Sequence, residues 1–144
     1  MKLKLDHIGF VTETREKIEK ILKDLGVECI TKEIPDPRQK VSASFANIGE
    51  RDSIYLEILT PTDSTSPISN FLKKKGPGLH HLCFEVDDIE KAVEEFKHKG
   101  FQIVCEPTEC EAYDINLGRS PVRTTKIAFL FIPNLLLIEL IEKG

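Results

Sequence analysis

The chain has 144 residues, 40% hydrophobic and 31% charged, an ordinary balance for a soluble globular domain. A formal net charge of −4 and a pI near 5.6 give no electrostatic footing for nucleic acid or for a polybasic membrane anchor. No apolar run reaches the roughly 18–20 residues of a membrane span. The start MKLKL leads straight into strand-like sequence without a signal-peptide pattern, so a cytoplasmic location is expected.

In chain order, "LDHIGF" predicts a short strand, and Ile18, Ile21, Leu22 and Leu25 then recur at helical spacing as one apolar stripe. Gly26 stands where a helix-ending glycine belongs. Three strands are expected next, over roughly 27–34, 41–48 and 53–60, the last two joined by the turn "GERD". A proline-bounded linker, 61–67, leads to a short basic helix in "ISNFLKKKG". A second strand, "LHHLCF", precedes a helix with Ile89, Ala92, Val93 and Phe96 as its stripe, Asp87 or Asp88 as cap and Gly100 at its end. Strands over roughly 101–106, 126–132 and 135–141 follow, the last two joined at Pro133-Asn134. The four cysteines, Cys29, Cys83, Cys105 and Cys110, lack CxxC spacing and read as reduced thiols; nothing in the sequence supports a Cys105–Cys110 pairing.

The order repeats. "LDHIGFVTETREKIEKILKDLG" lies over "LHHLCFEVDDIEKAVEEFKHKG" without a gap, at an offset of 74, with Leu5/Leu79, His7/His81, Phe10/Phe84 and Gly26/Gly100 among the identities. Near the end of each half, "IYLEILTP" resembles "LLIELIEK", which sets Glu57 against Glu139. Each half is therefore βαβββ, and the segment Cys110–Arg123 holds the second half's extra residues.

Side chains alternate along a strand. Ile8 and Phe10, Leu82 and Phe84, Leu56 and Ile58, and Ile138 and Leu140 form the helix-covered face, so His7, His81, Glu57 and Glu139 share the other. Taken singly, a strand histidine is ordinary packing and a strand glutamate an ordinary solvent-face residue. Four residues obeying one repeat and one parity describe a divalent-metal cleft. Two imidazoles and two carboxylates suit Co, Ni, Mn, Fe or Zn, and four ligands on an octahedral ion leave two positions for substrate oxygens.

These features resemble the vicinal oxygen chelate (glyoxalase, bleomycin-resistance, dioxygenase) superfamily over essentially the whole chain. The most specific stretch, "LEILTPTDSTSPISNFLKKKGPGLHHLCFEVDDI", is similar to methylmalonyl-CoA epimerases. The resemblance implies an α+β fold of two pseudo-symmetric βαβββ modules, about 1–61 and 77–144, forming one curved mixed sheet around a metal cleft with the helices outside. It implies His7, Glu57, His81 and Glu139 as metal ligands, Glu139 as the base, and His80 as a structural residue facing the core or a helix. The activity implied is proton transfer through a metal-stabilised enediolate on a thioester or thiol adduct, in a protein that binds no nucleic acid or membrane and forms a homodimer. The alternatives are a glyoxalase I-like lyase and a metal-free drug-binding module; the complete ligand set counts against the second. Arg119 and Arg123 are candidates for a substrate carboxylate. Lys73–Lys75 can meet phosphates, although a solvated charge run is the simpler reading. Two segments depart from the epimerase pattern: "KVSASFAN" lacks a carboxylate that some epimerases carry, and "CEAYDINLGRSPVR" replaces a glycine-rich loop.

Overall fold

The computed structural model describes residues 1–50, 54–132 and 136–144; the turns expected at "GERD" and Pro133-Asn134 fall partly or wholly outside the described residues. The described elements are β1 (Lys4–Val11), α1 (Arg15–Asp24), β2 (Ile34–Asp36), β3 (Val41–Asn47), β4 (Tyr55–Pro61), α2 (Pro67–Lys75), β5 (Gly78–Glu85), α3 (Ile89–His98), β6 (Gln102–Glu109), α4 (Glu111–Asn116), β7 (Lys126–Ile132) and β8 (Leu136–Glu142). The strands form one eight-stranded sheet in the order β2-β3-β4-β1-β5-β8-β7-β6, curled into a half-barrel.

The topology is that of a repeat. β1 pairs parallel with β4 and β5 parallel with β8, while β1 and β5 meet antiparallel between the modules. Gly9 lies opposite Glu57 and Cys83 opposite Glu139, so each glutamate sits across from the residue two places after its module's histidine. α1 and α3 cover the outer face, as expected. α2 and α4 lie on the inner one: Ile68 and Leu72 pack on Val11 and Leu59, and Tyr113 packs on Phe45, Cys83 and Ile141.

Three expectations need correction. The strand expected over 27–34 shrinks to Ile34–Asp36. Upstream of it only Ile30 makes a bridge, to Ala46, and the Thr31 hydroxyl accepts the Phe45 N–H at 2.9 Å, a bond the strand backbone would otherwise accept. Ile21 and Leu25 face solvent, 53% and 77% exposed, because no long outer strand extends the sheet beneath that side of α1. The extra segment after Cys110 is not a plain loop, since its first part is α4. In the α3 stripe Ile89, Ala92 and Val93 are buried and Phe96 is half-buried against them, and the cap is Asp88, whose side chain accepts the Lys91 N–H at 3.0 Å. All four cysteines are free. Among the described residues no helix is long and apolar enough to cross a membrane.

Candidate metal centre

Four adjacent strands, β4, β1, β5 and β8, each contribute one residue, and the sheet's curl brings Glu57, His7, His81 and Glu139 together. His7, His81 and Glu139 are 1%, 2% and 6% exposed. His7 Nε2 lies 3.0 Å from Glu139 Oε2, 3.6 Å from Glu57 Oε1 and 3.3 Å from His81 Nε2. His81 Nε2 lies 2.9 Å from Glu139 Oε2 and 3.4 Å from Glu57 Oε1. Metal–ligand bonds of about 2.1 Å place neighbouring donors about 3.0 Å apart in an octahedron and about 3.4 Å in a tetrahedron. The observed separations match the edges of such a polyhedron. The donor set therefore fits a divalent cation in spacing as well as chemistry.

The charge pattern supports the same fit. Burial disfavours the charge on both imidazoles, yet Cys83, Glu57, Glu139 and Asp6 raise His7 well above its usual range, and Glu139 and Glu57 raise His81 too. Burial likewise opposes the Glu139 charge, and His7 and His81 overcome it, holding that carboxyl well below its usual range. The buried carboxylates thus favour positive charge at the imidazoles, the charge that a bound cation would bring.

The cluster lies beside a cavity of about 580 Å³, lined by His81, Glu57 and Glu139 and by apolar groups such as Phe45, Leu59, Ile127 and Phe129. Its thiols are poor nucleophiles, for burial pushes Cys110 up to about 12 and raises Cys105 as well. Asp36 also lines the cavity, but its carboxylate accepts the Arg38 N–H at 3.1 Å and the Gln39 side-chain N–H at 2.9 Å. Arg38 Nη1 in turn donates to the Glu109 carbonyl at 3.1 Å.

The sequence-named arginines lie elsewhere. Arg119 is outside the cavity lining, with Nη1 2.6 Å from Asp114 Oδ1 and 3.2 Å from Thr125 Oγ1, where it anchors α4. Arg123 is exposed and also outside the lining. Lys73–Lys75 are solvent-exposed. His80 corrects the parity argument: it lines the cavity, and its Nδ1 lies 2.9 Å from His81 Nδ1. Burial, with His81 adding to it, lowers His80 to about 4, so it is neutral.

Sequence reasoning passed over three further residues. Asp6, 3% exposed, has Oδ2 2.8 Å from His7 Nδ1, and the Tyr113 hydroxyl donates to it at 3.0 Å. Tyr113 belongs to α4, so the unusual segment delivers a donor to the centre's support. Gly9 is required by close approach: a Cβ there would stand 2.1 Å from the His81 ring. The "HIG" stretch carried that signal, a glycine inside a strand pattern.

The sequence profile of the glyoxalase/bleomycin resistance protein/dioxygenase superfamily matches residues 6–118. The chain belongs to this superfamily. It is similar to the mitochondrial methylmalonyl-CoA epimerase of Bos taurus, 38% identical over 112 residues; the match spans 76% of this chain and only 62% of that relative. A solved hypothetical protein from Bacillus halodurans C-125 superposes with a TM-score of 0.80 at 29% identity, covering 100% of this chain and 96% of that one. A variant of Streptomyces coelicolor methylmalonyl-CoA epimerase, solved with 2-nitronate-propionyl-CoA, superposes at 0.78 with 23% identity, covering 99% and 96%. At that identity it speaks for the superfamily fold.

Proposed function

We propose that this superfamily member is a divalent-metal-dependent enzyme that moves a proton at the carbon next to a thioester carbonyl, as a methylmalonyl-CoA epimerase does. The observation that carries the reading is the convergence of His7, Glu57, His81 and Glu139 beside a largely apolar cavity. The similarity to epimerases supports the thioester as substrate class.

His7 and His81 would hold the ion through Nε2, and Glu57 and Glu139 through one carboxylate oxygen each. Bound there, a divalent cation supplies Lewis-acid charge to a substrate oxygen that becomes negative as the carbon loses its proton. Glu139 is the base: it is ionised, lines the cavity, and has a second carboxylate oxygen in addition to the one that meets the histidines. Phe45, Ile127 and Phe129 exclude water, which strengthens every electrostatic contact inside and limits stray protonation of the carbanion. Tyr113 and Asp6 keep His7 in place from behind.

The test is solvent-deuterium incorporation at the α-carbon of methylmalonyl-CoA by Co²⁺-loaded protein, with an EDTA-treated control. Metal-dependent exchange is expected, and Glu139→Gln should slow it by about 10²–10⁴-fold. Metal bound tightly without exchange would refute the thioester substrate and direct the search to thiol adducts.

A further inference from the structure

The two inner strands that meet across the pseudo-symmetry axis each carry a β-bulge. In the β1–β5 register Leu5 faces Phe84 and His7 faces Cys83, so Asp6 is an extra residue with no partner across the pair. Further along, Gly9 faces His81 and Phe10 faces Leu79, so His80 is the extra residue on β5. Asp6 and His80 are separated by the same 74 residues as His7 and His81. Both bulges therefore stand at one position of the repeat, immediately before a candidate ligand.

A regular strand would send each of these residues to the face opposite its neighbour. A bulge bends the strand and re-aims the extra side chain. Here both side chains turn onto the following imidazole, with Asp6 Oδ2 2.8 Å from His7 Nδ1 and His80 Nδ1 2.9 Å from His81 Nδ1. The other nitrogen of each ligand ring, Nε2, is the one that faces Glu57 and Glu139.

We propose that Asp6 and His80 are the positioning residues of the metal centre, each accepting the Nδ1–H of the histidine that follows it and leaving that ring's Nε2 lone pair for the ion. The inference rests on the metal reading above. A neutral imidazole that ligates through Nε2 carries its proton on Nδ1, and an acceptor there fixes both tautomer and ring plane. Asp6 as a carboxylate can only accept. His80 accepts at Nδ1 only when its own proton resides on Nε2. The geometry thus assigns Nδ1–H to His7, Nδ1–H to His81 and Nε2–H to His80.

The supports are unequal. Asp6 is an anion that also takes hydrogen bonds from Tyr113 at 3.0 Å and Lys143 at 2.7 Å, whereas His80 is a neutral ring edge-on to Phe71. His7 is accordingly met by a charged acceptor and His81 by a neutral one.

Two readouts test this: Zn²⁺ titration calorimetry on the whole chain, and histidine tautomers from long-range ¹H–¹⁵N correlations on the Zn²⁺-loaded protein. Asp6→Ala and His80→Ala should each weaken Zn²⁺ binding by about 10–100-fold, the usual effect of losing such a partner. Asp6→Asn and His80→Gln keep a carbonyl acceptor and should recover much of that loss, which a merely structural role would not produce. Tight wild-type binding with unchanged affinity in both alanine variants would overturn this inference and leave the metal reading standing. A wild-type chain that binds no divalent ion would overturn both. Should an alanine variant fail to fold, the wild-type tautomers decide: Nδ1–H on His80 refutes the assignment, Nε2–H supports it.

Discussion

In α3, Ile89, Ala92 and Val93 are sealed against Leu130 and Leu140 of the sheet, whereas in α1 only Leu22 is buried and Ile21 and Leu25 lie in solvent. The two helices occupy the same place in the repeat and carry the same apolar spacing. What differs is the floor beneath them. β6 is eight residues long and pairs with β7, while its counterpart β2 has three residues. α3 is also fastened at its start, by the Asp88 cap and by Glu142 Oε2 accepting the Ile89 N–H at 2.8 Å; Thr14 makes no side-chain cap on α1. Periodicity thus defines a face, and the neighbouring strands decide how deeply that face is buried.

The centre reverses this contrast, because there the halves contribute equally. His7→Ala and His81→Ala should each abolish tight divalent-metal binding, read by calorimetry and by metal content after gel filtration. Retention of full affinity in one of them would break the pseudo-symmetry at the site. In the cores the halves should separate. Ile89→Ala should cost about 2–4 kcal/mol in urea unfolding, since it empties a sealed position. Ile21→Ala should stay within about 0.5 kcal/mol, as an exposed residue does. Similar costs at both positions would mean that α1 is covered in solution by something else.

The pH dependence of the metal-free protein sharpens the picture of the centre. His7 and His81 are raised in the folded state, so their contribution is full below the unfolded value near 6.5 and is lost as pH climbs through the raised folded values. Glu139 is lowered, so its contribution holds above its usual carboxylate value and is lost as pH falls through the folded one. Melting of EDTA-treated protein should therefore peak in mildly acidic buffer and decline as pH rises past the unfolded histidine value near 6.5. Bound metal should reverse the alkaline decline, because ligation needs the imidazoles deprotonated. At the helix starts Asp88→Ala should cost about 1 kcal/mol, and Thr14→Ala, the smallest effect expected, close to nothing.

Much of the site could be read from the chain because a repeat and a period of two are properties of sequence order. His7, His81, Glu57 and Glu139 fall out of one offset and one parity, and the structure brings all four to one point. The same rule failed for His80, since parity assumes an unbroken strand and a bulge inserts an unpaired residue. Asp6 was missed for the same reason: adjacent to His7, it belonged by alternation to the opposite face. Arg119 drew attention by charge in the second half's extra segment, but its partner Asp114 lies five residues earlier on α4, a pairing that appears only once that helix exists.

The order of residues along the chain was enough to define the two βαβββ halves, the outer helices α1 and α3, and the four residues that converge at the centre. Those follow from local periodicity and from duplication, which need no knowledge of distance. The depth of each core, the placing of α2 and α4 on the inner face, and the two bulges that turn Asp6 and His80 onto the histidines came from the folded sheet. Each of these depends on how one strand registers against another, a relation between segments far apart in the chain that no single segment encodes.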